Sequence, residues 1–542
     1  MQYHCVQCNE VFTPDPSEDR PRCPKCLRQH GLRPVEVAAP SVSKRSMLPA
    51  VLVVSVLVAG AGGYAAYRKL HGHTPGQVPM EPIEVDELRA DAQVIVGKDP
   101  GELVQLLAAD ARVKAFAERA ASGQSGPAAQ AKAVCAALSE RKQKQAFLGS
   151  VRTDARETPP LTASGALAAM EKDGARAVLY PLEVAALAVA ALRSLGAPAM
   201  LTEVYRYPDE SKPLDPSGRL GYYALALRKA GSSAELHFDA FGGRSAAPAA
   251  GDYKLLNDAQ ALGAAISLRG LTQLDNSGDT RAGLADSELA VKLTPSSATV
   301  RSVRAALLLA TGGVEAGTRE LDAAFSLRSD APRRNNLATL GLLSGNADAA
   351  AKEVAAALAE APDYALAHVT LATVHLMRGE QDLARVELEK VERLEPGLPV
   401  LPQIWAQYYA SANDMDQALA KAQEAVRIRP RDTQALLVLA RIDRATGRYD
   451  DMRKQARAIM ARVPSDQRER MKELLRSMLG PTVFEAASGD AEPSEPSGGG
   501  PSLSLSDGAK SDNGPHLLSD SDAPKPGSLQ LQPGGPKLQL GG

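Results

Sequence analysis

Aromatic residues are scarce, at 4% of 542 residues with a single tryptophan. So few Phe, Tyr and Trp do not build the aromatic cross-strand pairs of a large β-sandwich. The 44% of hydrophobic residues are mostly Ala, Leu and Val, which suits closely packed helices. Cysteine is rarer still. There are five, and four of them lie at or before Cys26, which excludes disulfides stapling the whole chain. A dominant charge is also lacking. With 62 Lys+Arg against 64 Asp+Glu, a chain built as a whole to bind nucleic acid is excluded. The length itself excludes one compact core and requires several domains.

The clustered cysteines form two pairs, Cys5-Val6-Gln7-Cys8 and Cys23-Pro24-Lys25-Cys26, with the short stretch Asn9 to Arg22 between them. Each pair turns two thiolates toward one centre, and together they complete a tetrahedral sulfur site suited to zinc. Two disulfides, or a redox C-x-x-C, leave two such knuckles in so small a unit unexplained. Tyr3 and Phe12 supply a small apolar plug, and Thr13-Pro14-Asp15-Pro16 a turn-rich loop. Residues 1–34 resemble a zinc ribbon, which implies one structural zinc on Cys5, Cys8, Cys23 and Cys26. Acidic Glu10, Asp15, Glu18 and Asp19 dilute the basic Arg20, Arg22, Lys25, Arg28 and Arg33. Docking to protein is therefore expected at least as much as binding to nucleic acid.

After a linker at 35–46, the run from Met47 to Tyr67 carries no charge. It matches the roughly 20 residues that one membrane-spanning helix needs. Seven Lys/Arg precede it and only Arg68 and Lys69 follow closely, which places the amino terminus in the cytoplasm and the bulk outside. Reduced thiolates for zinc agree with that side. Ser55, Ala59 and Gly63 recur at every fourth position, a small-residue stripe that pairs membrane helices into dimers. A linker at 68–85 carries His71 and His73, read as solvated rather than metal-bound.

Residues 86–150 show helical periodicity, as in Leu103, Leu106, Leu107 and Ala111 or Ala133, Ala136 and Ala137, with Cys135 on an Ala-rich face. Next come a helix around Glu183 to Arg193, a glycine stop at Gly196, and strands at Met200–Tyr207, Gly221–Arg228 and Glu235–Phe241. This order and the run Leu192-Arg193-Ser194-Leu195-Gly196-Ala197-Pro198-Ala199 resemble the transglutaminase-like, papain-related fold. The resemblance implies a Cys, His and Asp triad in which the thiol is activated by the imidazole. Here the Cys position falls on Pro181, the His position on Tyr223 or Tyr222, and only Asp239 persists. His237, two positions before Asp239, would share its strand face. The expectation for 86–255 is a degenerate α+β domain without catalysis.

Pro362, Pro396, Pro430 and Pro464 recur at one constant interval. Leu337-Ala338, Leu371-Ala372, Trp405-Ala406 and Leu439-Ala440 keep the same phase, as do Gly345, Gly379, Asn413 and Gly447 at the turns. Ala350, Ala384, Ala418 and Met452 then mark the packing position of each second helix. A helical period of about 34 residues is the signature of tetratricopeptide repeats. Looser units at Ala264–Pro295, with Gly278 at its turn, and Ser296–Ser329, with Gly312-Gly313, bring the count to six over 260–464. A capping helix at Asp466–Leu479 closes the stack. Such arrays bind peptides or proteins in a groove lined by their first helices, where Arg334, His368, Gln403, Tyr408, Gln434 and Arg441 lie by register. Trp405 takes a core position. Residues 481–542 have a composition that predicts disorder, with Leu529-Gln530-Leu531 repeated as Leu538-Gln539-Leu540.

The expected fold class is thus multidomain: a zinc ribbon, one transmembrane helix, a transglutaminase-like α+β domain, a tetratricopeptide α-solenoid and a tail. The assembly resembles a bacterial envelope adaptor of the inner membrane. Its partners would be proteins, its cofactor zinc and its catalytic residues none. The alternatives are a thiol enzyme using Cys135 and a zinc-ribbon regulator of nucleic acid.

Overall fold

The computed structural model describes residues 2–5, 11–12, 32–35 and 73–485, the last range without 140–161, 174–178, 229–234, 278–279 and a few isolated positions. The chain divides into two units, Met1–Gly72 and His73–Gly542. In the first, β1 (Gln2–Cys5) pairs antiparallel with β2 (Val11–Phe12) and β3 (Leu32–Val35), in the order β2-β1-β3. Cys8, Cys23 and Cys26, the expected span 47–67 and the tail from 486 lie outside the described residues. Among the described residues no helix is long and apolar enough to cross a membrane.

The second unit opens on an ordered segment where a solvated linker was expected. His73 packs against Asp91, with Nε2 2.7 Å from its carboxylate, and Asp91 also accepts from the Gly76 amide. Helices α1 (Val85–Val96), α2 (Ala111–Ala120), α3 (Pro127–Ser139) and α4 (Ala163–Asp173) follow. The apolar run at Leu103, Leu106 and Leu107 is not α-helical as its spacing suggests. It is a 3-10 turn over Glu102–Gln105, fixed by Gly101 at φ +83° before it and by Asp110 capping α2 after it.

Helix α5 (Pro181–Ser194) is buried from Pro181 through Leu192 and packs on β4 (Ala199–Val204) and β5 (Tyr223–Arg228). A helix apolar on every side belongs inside a core. The antiparallel sheet runs β6-β5-β4-β7, with β6 at Glu235–Phe238 and β7 at Tyr253–Leu256. The three anticipated strands are present but shorter; Asp239, for instance, ends β6 by accepting from the Phe241 and Gly242 amides. Strand β7, which the sequence reading missed, supplies one sheet edge beside β4.

Twelve helices then form six hairpins: α6 (Asp258–Ser277) with α7 (Thr280–Leu293), α8 (Ala298–Ala310) with α9 (Val314–Leu327), and α10 (Ala331–Leu343) with α11 (Ala347–Glu360). The others are α12 (Ala365–Arg378) with α13 (Gln381–Leu394), α14 (Leu401–Ser411) with α15 (Met415–Ile428), and α16 (Thr433–Ala445) with α17 (Tyr449–Met460). The turns of the last four repeats take the left-handed conformation at Gly345, Gly379, Asn413 and Gly447. The amides of Asn346, Glu380, Asp414 and Arg448 each reach back to a helix carbonyl, those of Gly341, His375, Tyr409 and Asp443. This bond satisfies a carbonyl at the helix end and fixes the angle of the hairpin. Between the helices Ala350, Ala384, Ala418 and Met452 are fully buried. Helix α18 (Arg468–Leu479) covers the last hairpin, and a 3-10 turn over Pro481–Phe484 extends it, with Val483 buried, so order persists past Pro481.

One hydrophobic core runs without a break from Leu88 on α1, through α5 and the sheet, to Val303 and Leu307 on α8. Arg193 on α5 reinforces it with two bonds to Asp258 at the start of α6, at 2.7 and 2.8 Å, and a third to the Ala199 carbonyl. The first two repeats are therefore continuous with the sheet domain.

Candidate functional site

The position where the transglutaminase-like resemblance implies catalysis is closed. Pro181 is the first residue of α5, whose start is capped by Glu183 accepting from the Tyr180 amide. Of the two tyrosines at the implied base position, Tyr222 is the one that meets Asp239, its hydroxyl donating at 2.8 and 2.9 Å. Asp239 also receives the two backbone amides and Arg244 Nη1 at 3.1 Å, and Arg244 Nη2 extends to Glu210 at 2.7 Å. A carboxylate so surrounded is a structural anchor. Burial and the Asp239 charge push the Tyr222 phenol far up. The same two causes push up the buried Cys135 thiol, the opposite of what a nucleophile needs. His237 does not join Asp239; its ring lies 4.3 Å from that of Tyr253 and both nitrogens are without hydrogen bonds.

A second site lies where the sheet domain meets the repeats. Residues 205–222 leave β4 and cross the starts of α10 and α12, enclosing a cavity of about 390 Å³ lined by Tyr205, Lys212, Asp215, Arg328, Arg333 and Pro362 among others. Buried Glu203, at the end of β4, accepts from Thr299 Oγ1 at 2.5 Å on α8. Buried Arg333, on α10, donates to the same Thr299 oxygen at 2.9 Å and to Asp330 at 2.6 Å. Arg328 joins Asp330 and Asp252 and stacks 3.9 Å above the Tyr205 ring. This network pins the sheet to repeats two and three. Truncating one partner of such a buried charge cluster costs about 3–5 kcal/mol.

The six residues assigned to the groove by register divide in two. Arg334 pairs with Glu353 at 3.4 Å, and buried His368 pairs with Glu387 at 2.5 Å and with the Pro362 carbonyl at 2.9 Å. Gln403 is buried and accepts from Arg429 at 2.8 Å. These three therefore tie helices together. Tyr408 packs edge-on against buried Trp405 at 5.3 Å, while Gln434 is exposed and Arg441 half-buried beside Arg444. Sequence reasoning missed Asn336 and Tyr364. Both donate to main-chain carbonyls of the 205–222 loop, Asn336 Nδ2 to Ser217 at 3.1 Å and the Tyr364 hydroxyl to Pro216. Their signal was weak: two polar residues near the starts of first helices in neighbouring repeats. Among the described residues no group of His, Cys, Asp and Glu has the clustering of a metal site.

The array is a tetratricopeptide-like α-solenoid, defined by its register, caps and small-residue packing. No family model and no curated protein matches the chain. Among solved structures it is similar to a thermophilic tetratricopeptide-repeat protein of Thermus thermophilus, at 20% identity over 33% of this chain and 99% of that one, with a TM-score of 0.29. A tetratricopeptide-repeat protein of Parabacteroides merdae matches at 17% identity over 40% of this chain and 84% of that one, with a TM-score of 0.32. PilF of Pseudomonas aeruginosa matches at 18% identity, 40% and 98% coverage and a TM-score of 0.27.

Proposed function

We propose that the chain is a membrane-anchored, non-catalytic scaffold that binds a protein partner on the first-helix face of its repeats. The observation that carries this reading is the series of six hairpins, whose first helices pack side by side from α10 through α16 into one face. The saturated Asp239, Pro181 at the start of α5 and the buried Cys135 favour it over the thiol enzyme. A photo-crosslinker placed at exposed Gln434 on α16 should capture the partner, whereas one at exposed Val386 on the second-helix face should not. Capture from Val386 alone would sink the reading.

The amino-terminal unit is proposed to hold one zinc ion on Cys5, Cys8, Cys23 and Cys26, supported by their spacing and by an antiparallel backbone whose β1 ends at Cys5. Metal analysis of residues 1–34 should give one equivalent, lost when any of the four becomes Ser; a folded, metal-free fragment refutes it. Residues 47–67 are proposed to cross the inner membrane once, with the ribbon in the cytoplasm and residues 70–542 outside. Alkaline phosphatase fused to the carboxyl terminus should then be active.

A further inference from the structure

The loop between β4 and β5 lies on the array as a ligand would. Two consecutive main-chain carbonyls, of Pro216 and Ser217, are taken by side chains from two successive repeats, Tyr364 at the start of α12 and Asn336 on α10. Gly218 comes next at φ +65°, and a Cβ there would stand 3.2 Å from both the Asn336 amide nitrogen and Pro332 Cβ. Only glycine combines that backbone with so close an approach. The loop is shaped in advance: Asp215 accepts from the Ser217 hydroxyl and the Gly221 amide, both at 2.7 Å. Leu214 tucks under Tyr207 and Tyr222 in a small core of its own. Farther along, Lys212 offsets the charge of Glu395, whose carboxyl burial pushes up, at the end of repeat four.

We propose that Asn336 and Tyr364 form a main-chain-reading site for a Pro-Ser-Gly turn, closed here by the Gly218 amide donating to the Asp215 carbonyl at 3.0 Å, and that the chain fills this site in cis with its own residues 211–219. This rests on reading the first-helix face as the binding surface. Both donors address carbonyls, which every residue offers, so the site selects a backbone bent into a turn that closes on glycine more than a particular set of side chains. A tethered occupant competes at the high effective concentration of a short linkage. A partner's segment therefore gains the groove over repeats three and four only by displacing the loop, while the face of repeats five and six stays open.

The test uses the full chain in detergent and a fluorescent synthetic peptide with the sequence of residues 208–221. In a variant whose residues 209–219 are replaced by an equally long Gly-Ser segment, the peptide should bind about tenfold or more tighter than to the unaltered chain. Adding Asn336→Ala and Tyr364→Phe to that variant should weaken binding by about tenfold, as expected for two lost hydrogen bonds. Equal binding to the unaltered chain, no binding to a folded loop-replaced variant, or indifference to the double substitution each overturns the proposal. A readout independent of the peptide is hydrogen exchange of residues 211–219 in the otherwise unaltered Asn336→Ala, Tyr364→Phe chain. Exchange should accelerate about tenfold, and unchanged protection overturns the proposal even if the loop-replaced variant does not fold. Crosslinking from Gln434 that is unaffected by loop replacement, with no peptide binding, would leave the scaffold reading standing and remove this one.

Discussion

His237 and Cys135 are two side chains in the sheet domain whose acid–base chemistry is altered by burial. Burial holds the His237 imidazole below its ordinary value near 6.5, outweighing the opposing pull of Glu235. The folded state thus keeps the ring neutral while the unfolded chain takes up a proton below that value. Its contribution to stability is complete above about pH 6.5 and falls as the pH drops through the window beneath it. Urea unfolding at about pH 7.5 and about pH 5.5 should show a larger loss for the unaltered chain than for His237→Phe, which has nothing to protonate. Equal losses would mean that other groups carry the acid sensitivity. Cys135 gives a complementary expectation. With its thiol buried and pushed up, it should resist alkylation in the folded chain and react fully in denaturant, as read by peptide mass mapping. Rapid labelling of the native thiol would revive a thiol-dependent activity.

Within a single hairpin, the decisive property is how closely two helices approach. Ala384 on α13 is fully buried against α12, so Ala384→Leu should destabilise the protein by about 1–3 kcal/mol through overpacking. Val386→Leu, nearby on the same helix and exposed, should change stability by no more than about 0.5 kcal/mol. Thermal unfolding of the two variants makes the comparison. Much of this scale was legible in the sequence, because a left-handed turn residue and a buried packing residue, Ala in three cases and Met452 in the fourth, recur in each of the last four hairpins. Asn413, which stands in for glycine at one turn, takes φ +61° as its register requires. A finer regularity was also there to be read. Arg301–Glu320, Arg334–Glu353 and His368–Glu387 each join a first helix to its own second helix at one constant separation along the chain. Pro402 breaks the series in repeat five, where Trp405, Tyr408 and Tyr409 pack against one another on α14 and Trp405 is buried with residues of the preceding hairpin. The 205–222 loop was not legible. Its contacts join residues far apart in the chain through main-chain carbonyls, which leave no mark on residue type.

Across the whole molecule the core ignores the boundary that composition draws near residue 255. A fragment of residues 260–480 would expose the faces of α6 and α7 that pack against α1 and the sheet. It should aggregate or lose cooperativity, whereas residues 73–485 should unfold as a soluble, cooperative unit; circular dichroism and gel filtration distinguish the two. A well-folded 260–480 fragment would show that the shared core is dispensable. Repeat stacks ordinarily tolerate gain or loss of units anywhere, since each touches only its neighbours. Here the first two hairpins are bound to the sheet and the third is pinned to β4 through Glu203, Thr299 and Arg333. Tyr364 of the fourth hairpin also donates to the Pro216 carbonyl, so duplication or deletion of a unit is open only beyond Leu394. Descendants of such a chain would diversify in reach by growing at one end, with their rooted end held constant.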